Sequence, residues 1–290
     1  MSPGETMWIE RDARPVAYQA PMYPRGTLKK DSMIHTGDIS RRIAERLSES
    51  AGNLQVDEVR VGLGYVGVML EGGGMGVAAV LRNELRPGCS TIGKAGTLAG
   101  SNASELLDLL VTGTNPLEKS LGLAAANALL TPDAGGEEQD SIALMHLSAE
   151  DRVAMVGYFG PLVQRIRKTG ATLRIIEKDS QRTEEILSRT ERDTILGECS
   201  VAIITATSIL NNTMEEILNA LKGTRHVTIL GPSTPLCEEA FVRTPVTHLG
   251  GSAIRDPHKV MQIISEGGGT PHMRPYLRFV DRTINNNGNA

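Results

Sequence analysis

The chain has 290 residues, of which 40% are hydrophobic and 22% charged, with a net charge of −4 and a pI of about 5.9. This is a globular composition, long enough for about two domains that each bury a core. The mild acidity and an aromatic content of 3% exclude a basic nucleic-acid face and a stacking groove for single strands, and no apolar run approaches a membrane span.

Residues 1–36 have no helical period and contain Pro3, Pro15, Pro21 and Pro24, which predicts an extended arm with a strand near 16–22. Asp38 reads as the N-cap of a helix through Ile39, Ile43, Ala44 and Leu47 that ends near Gly52. Strand-like runs follow at 58–62, 65–70 and 77–81, the last two joined by Gly72-Gly73-Gly74. Such short spacings mean antiparallel hairpins. A glycine-containing loop over 93–100, centred on Gly96, precedes helices over 103–110 and 116–130, the second capped by Asn115 with Pro116 at its first position. Strands followed by helices indicate an α+β unit, expected over 37–135. The polar stretch 131–140 reads as a linker.

From residue 141 to about 275 the pattern changes to alternating strand and helix, which specifies an open, mostly parallel sheet; 276–290 reads as a tail. The organising stretch is 151–179. An apolar strand, 153–156, runs into Gly157-Tyr158-Phe159-Gly160, then a helix opened by Pro161 and closed by Gly170, then a second strand ending in Glu177. Backbone N–H groups at such a helix start favour an anion. Glu177 lies twenty residues beyond Gly157, the spacing at which an acid can meet ribose hydroxyls. The turn reads G-x-x-G-P and lacks the central glycine a pyrophosphate needs, which argues against a dinucleotide. Tyr158 and Phe159 are candidates to stack on a base.

Further strands are expected at 201–205, 227–230 and 246–249. Ligands of open parallel sheets bind outside the carboxyl ends of the strands. Those ends carry Gly157-Tyr158-Phe159-Gly160, Glu177, Thr205-Ala206-Thr207 with Asn211, Gly231-Pro232-Ser233-Thr234 and Gly250-Gly251-Ser252. Small side chains, hydroxyls and amides on one rim suit a small polar ligand. Ser233 and Thr234 are expected to be exposed clamp hydroxyls, stiffened by Pro232 and Pro235. Their removal should cost affinity and no more than about 1 kcal/mol of stability.

The segments IITATSILNNTMEEIL, VTILGPSTPLCEEAF and THLGGSAIRDP resemble the family known as "putative heavy-metal chelation", whose carboxyl-terminal domain is Rossmann-like. GKAGTLAGSNASELLDLL and TNPLEKSLGLAAANALL are similar to its amino-terminal partner, which resembles the enolase amino-terminal domain without enolase's catalytic barrel. The resemblance spans roughly residues 34–268. It implies a site in the cleft between the two domains, formed by Gly157, Gly160, Thr205 to Thr207, Asn211 and Gly231 to Thr234, with the 93–100 loop opposite.

The residues themselves give a metal site little support. Cys89, Cys237, His248, His258, His272, Glu177 and Asp256 are candidate ligands, but none pairs at i, i+4 or as C-x-x-C. There is no G-x-S-x-G elbow, H-E-x-x-H motif or P-loop. The expectation is a cytoplasmic protein that binds a small molecule or metal ligand between two domains. The alternative is an enzyme using S-adenosylmethionine or another adenosine-containing, nucleotide-like ligand. Neither nucleic acid nor membrane is expected as a partner, and a homo-oligomer is left open.

Overall fold

The computed structural model describes residues 33–85, 88, 90–130, 141–177 and 189–284. The proposed arm, the linker 131–140 and Cys89 lie outside the described residues.

Helix α1 (Asp38–Gly52) buries a stripe of Ile39, Ile43, Ala44, Leu47 and Ala51, the spacing that puts every third or fourth residue on one face. Its N-cap is Gly37, in the left-handed region at φ 83°, and Asp38 is the first helical residue. Asp38 instead accepts the His35 N–H at 2.8 Å, so it closes the preceding turn rather than capping the helix. Strands β1 (Val56–Val61), β2 (Tyr65–Leu70) and β3 (Met75–Ala79) form an antiparallel meander in that order. Helix α3 (Pro116–Leu130) packs on it, and α2 (Ala103–Thr112) packs on α3 and α1. Asn115 Oδ1 accepts the N–H groups of Leu117 and Glu118 at 3.0 Å each, the expected cap. Where α3 crosses β3, a Cβ on Gly76 would lie 2.2 Å from Ala124 O and 2.2 Å from Ala128 N. Only glycine lets the backbones meet this closely.

After the short α4 (Ser141–Leu144) come β4 (Arg152–Val156), α5 (Gly160–Lys168), β5 (Thr172–Ile176), α6 (Arg189–Glu198) and β6 (Val201–Thr205). They are followed by α7 (Met214–Ala220), β7 (His226–Leu230), α8 (Glu238–Phe241), β8 (His248–Ile254), α9 (Pro257–Ser265), α10 (Thr270–Met273) and β9 (Leu277–Thr283). The six-stranded sheet has the order β5-β4-β6-β7-β8-β9, with all neighbours parallel except β8 and β9. Strand residues alternate between two cores. Val153, Met155, Val201 and Ile203 pack with Val163 and Ile166 of α5. Ala154, Ala202, Ile204, Val227 and Ile229 belong to a cluster that takes in α6, α7 and α8 and continues into Ile39, Leu107 and Leu121 of the amino-terminal unit. A helix therefore covers each face, as the alternation of strands and helices requires.

Three segments depart from the sequence reading. The stretch 277–283, read as tail, is β9, the antiparallel edge strand. Helix α6 was not read, because only Leu196 of its residues is buried and no apolar stripe announces it. Gly250, Gly251 and Ser252 lie inside β8 rather than beyond it, opposite Asp281, Val280 and Phe279. Glycine is needed within that strand because a Cβ on Gly251 would lie 2.9 Å from Thr234 O.

The two units are joined by polar contacts as well as by the shared core. Ile39 N–H, at the start of α1, donates to Oε1 of Glu215 at 3.0 Å. The free edge of β3 is closed by side chains. Ser120 Oγ donates to Ala79 O (2.8 Å), Asn127 Nδ2 donates to Val77 O (2.9 Å), and Ala79 N–H donates to Ser233 Oγ (2.9 Å). At the opposite, amino-terminal end of the parallel sheet, Arg225 donates to both carboxylate oxygens of Asp151, at 2.8 and 3.2 Å. Ser148 N–H and Ser200 Oγ donate to the same carboxylate, which is held well below the usual range, chiefly by Arg225.

Candidate functional site

The chain passes from β4 outward to β5 and then returns to β6 on the other side of β4, so the strand order reverses between β4 and β6. The carboxyl ends of two strands that flank such a reversal are the usual ligand position in open parallel sheets. Gly157 follows β4 at φ 88°, and a Cβ there would lie 2.9 Å from Cγ2 of Thr205, the last residue of β6. The two rim residues are therefore neighbours. Thr205 Oγ1 is 2.9 Å from Thr207 Oγ1 and accepts the Thr207 N–H, which starts the 3-10 turn Ala206–Ile209. Ala206 points its methyl into the core.

Helix α5 begins at Gly160 with Phe159 at its N-cap and no side chain capping it. Pro161 is its second residue, not its first. Tyr158 is 44% exposed, with its ring over Gly160, whereas Phe159 packs partly into the core below α5. Gly157 N–H donates to Ile176 O at 2.9 Å, which extends the β4–β5 pairing and sets half-buried Glu177 beside the glycine turn. Thus Gly157, Tyr158, Gly160, Thr205, Thr207 and Glu177 share one rim.

The rest of the expected set lies elsewhere. Ser233 and Thr234 were expected to be exposed, yet each is only 3% exposed. The loop after β7 is pressed against β3 and α3, with Ser233 Oγ taking the Ala79 N–H and Ser233 O accepting from Asn127 Nδ2 at 3.2 Å. Gly231 carries φ 121° and accepts the Thr234 N–H, and Pro232 is half-buried. This loop is a joint between the units, because the amino-terminal unit covers this end of the sheet. Asn211 donates to Glu84 Oε1 at 3.2 Å, across the same joint. Gly96 is exposed with open space around it, and its loop makes contacts within its own unit, such as Lys94 with Glu105.

Burial reverses the stability expectation for the joint. Ser233→Ala would leave the part-buried Ala79 N–H without its acceptor, so a loss of about 1–3 kcal/mol is expected in urea denaturation rather than less than 1. Thr234 Oγ1 is buried with no hydrogen-bond partner among the described residues. Thr234→Val should therefore be neutral or stabilising by about 1 kcal/mol. A Thr234→Val protein that loses more than that would show the hydroxyl to be satisfied.

The candidate metal ligands among the described residues do not converge, and no group of three or more His, Cys, Asp or Glu fit for a metal occurs there. Cys237 is buried, with its thiol pushed up to about 11 chiefly by that burial. Asp256 caps α9 through the Lys259 N–H, and His258 and His272 are exposed on separate helices. His248 stacks on His226 at the far end of the sheet, with ring centroids 4.3 Å apart. Lys119 of α3 was not singled out from the sequence, yet it reaches Asn212 in the loop after β6. The Asn-Asn dipeptide was the available signal, since asparagine tolerates the left-handed φ of 58° found at Asn212.

Fold and rim together define an α/β protein with a mostly parallel sheet covered by helices on both faces, preceded by a small α+β unit. The chain belongs to the family described as "Putative heavy-metal chelation": two family models carrying that description, DUF4213 and DUF364, match residues 44–130 and 140–282. An uncharacterised protein of Methanocaldococcus jannaschii is 24% identical over 233 residues, covering 77% of this chain and 88% of the relative. Two crystal structures of DUF364 proteins of unknown function share the fold. The one from Pyrococcus horikoshii has a TM-score of 0.74 at 23% identity, covering 85% of this chain and all of that one. The one from Desulfitobacterium hafniense DCB-2 has a TM-score of 0.72 at 21% identity, covering 85% of this chain and 97% of that one.

Proposed function

We propose that this protein binds a small polar ligand, of which a metal chelate is the favoured class, in the crevice between the β4–β6 rim and the amino-terminal unit. The observation that carries the reading is the contact of Gly157 with Thr205 at the point where strand order reverses. Hydroxyls, an uncapped helix start and an exposed tyrosine suit an organic ligand shell better than a bare ion. The family description supplies the metal. In this reading the metal arrives already wrapped in a chelator, since the described side chains do not gather into a coordination set. We read the carboxyl-terminal unit as Rossmann-like and the amino-terminal one as enolase-like without enolase chemistry. A cytoplasmic setting fits the free cysteines Cys199 and Cys237, and no helix among the described residues is long and apolar enough to cross a membrane.

Native mass spectrometry with elemental analysis, on protein purified without added chelator, tests the reading. A co-purifying metal with an organic mass is expected, and its occupancy should fall at least tenfold in Thr205→Val and Thr207→Val. Equal occupancy in both variants would place the ligand elsewhere.

A second reading is favoured by one contact, the Gly157 N–H to Ile176 O bond that seats Glu177 beside the glycine turn. In it, the rim holds S-adenosylmethionine or another adenosine-containing ligand, with Glu177 on the ribose diol, and the protein is an enzyme. Calorimetry with such ligands should then show binding that Glu177→Ala abolishes. Failure of the parent protein to bind any of them removes this reading.

A further inference from the structure

We propose that the protein forms a two-fold dimer in which the open edge of β1 pairs antiparallel with the same edge of a second copy, Glu58 facing the partner's Arg60. The meander has two edges. That of β3 is closed by Ser120, Asn127 and Ser233, whereas among the described residues no strand lies beyond β1. Only the start of β1 is taken: Val56 N–H donates to Ser101 O at 2.9 Å, and Gly100 N–H donates to Val56 O at 2.8 Å. Beyond it, the Gly62 N–H bond to Tyr65 O, at 2.9 Å, fixes the phase of the β1–β2 ladder. Glu58 and Arg60 therefore turn their backbone groups to β2, and Val59 and Val61 turn theirs outward. Such a row of unpaired N–H and C=O groups is a template for another strand. Apolar surface accompanies it, with Val61 45% exposed and Leu63, in the turn that follows, 63% exposed.

The charges on this edge decide which strand fits. Like charges along an edge repel a second copy, but Glu58 and Arg60 are of opposite sign. They lie two residues apart, hence on one face, and form an ion pair with each other. A two-fold axis at Glu58 or at Arg60 would set like charges face to face, which is destabilising. An axis at Val61 would leave Arg60 opposite Gly62 and shorten the ladder. An axis at Val59 pairs Val59 with itself and Asp57 with the partner's Val61, and sets Glu58 opposite the partner's Arg60 on both sides of the axis. In that register the outward backbone groups of Val59 and Val61 meet acceptors and donors. Glu58 and Arg60 fall at the closely spaced, non-hydrogen-bonded positions, with Cβ atoms about 4.5–5.5 Å apart. The internal ion pair extends into a ring of alternating charges. The edge is thus complementary to itself in one register, and a second copy of this chain is the partner it fits. The pairing does not depend on where the ligand binds.

Sedimentation velocity of the full chain, over a range of micromolar concentrations at low ionic strength, tests this. The parent protein is expected to dimerise, and less tightly as salt screens the ring of charges. Glu58→Arg and Arg60→Glu should each weaken the dimer about tenfold or more, because each sets like charges opposite one another on both sides of the axis. Mixed in equal amounts, the two variants should pair with each other, since every facing position then joins opposite charges again. The double variant Glu58→Arg, Arg60→Glu should dimerise as the parent does, which separates a lost interface from a misfolded strand. A monomeric parent protein would overturn the proposal. So would a dimer that either single variant leaves intact, or a mixture of the two and a double variant that both stay monomeric.

Discussion

Gly76→Ala is expected to unfold the amino-terminal unit, at a cost above about 4 kcal/mol, beyond what an ordinary point substitution produces. The added carbon would sit 2.2 Å from two backbone atoms of α3, Ala124 O and Ala128 N. Neither can swing aside as a side chain would, so β3 and α3 must separate. That separation would open the cluster holding Leu121, Ala124 and Ala125, and would break the Asn127 and Ser120 contacts that close the β3 edge. Gly73→Ala is the control. Gly73 has φ 91° and open space around it, so its cost should stay near 1 kcal/mol, the strain of a left-handed alanine. Urea denaturation followed by circular dichroism distinguishes the two. Equal, small losses would mean that the helix and sheet are less tightly opposed than the Gly76 contacts show.

Acid should destabilise the carboxyl-terminal unit before it reaches the range of ordinary carboxylates. His226 is 6% exposed at the start of β7 and stacks on His248 with an interplanar angle of 23°. Burial, then the neighbouring His248, Arg225 and His146, pull its pKa from 6.5 down to about 4. His248 is lowered in the same direction by burial, and its Nδ1 lies 2.9 Å from Thr247 Oγ1. A depressed histidine means that the folded protein binds fewer protons than the unfolded chain. Stability is then full above about pH 6.5 and falls as the pH drops towards 4. The full shift corresponds to roughly 3 kcal/mol. Asp151, in contact with Arg225 at the same end of the sheet, is also depressed, but its contribution is lost only below its ordinary value of 3.8. The loss between pH 6.5 and 4 thus belongs to the histidines. In His226→Phe, which keeps a flat ring against His248, the slope of unfolding free energy in this window should be at least halved. A parent protein equally stable at pH 7 and pH 4.5 would show that His226 is free to take up its proton.

The elements that the sequence determined are those with a local physical signature. Pro116–Leu130 is a helix with the bounds its Asn115 cap and Pro116 imply, and the Gly72-Gly73-Gly74 turn makes the β2–β3 hairpin. The strand–turn–helix–strand unit from β4 to β5 was legible because apolar β-branched runs bracket a glycine turn. Only part of the collected rim, Gly157 to Gly160 with Thr205 and Thr207, lies at the ends of β4 and β6; Ser233 and Thr234 are buried at the joint and Gly250 to Ser252 lie inside β8. What the sequence left open was decided by contacts between residues far apart in the chain. Strand β9 carries four charged or hydroxyl side chains among seven residues and becomes a strand only because β8 offers it a partner edge. Ser233 and Thr234 have the composition of an exposed clamp. They are buried because the β3 edge, 154 residues away from Ser233, needs an acceptor for the Ala79 N–H. Nothing in the sequence singles out Lys119, whose ammonium meets Asn212, 93 residues on, only in the folded chain. Periodicity and capping act within a turn or two of chain and are written locally. Burial and charge pairing depend on which distant surface arrives, and only the folded arrangement of the two units determines that.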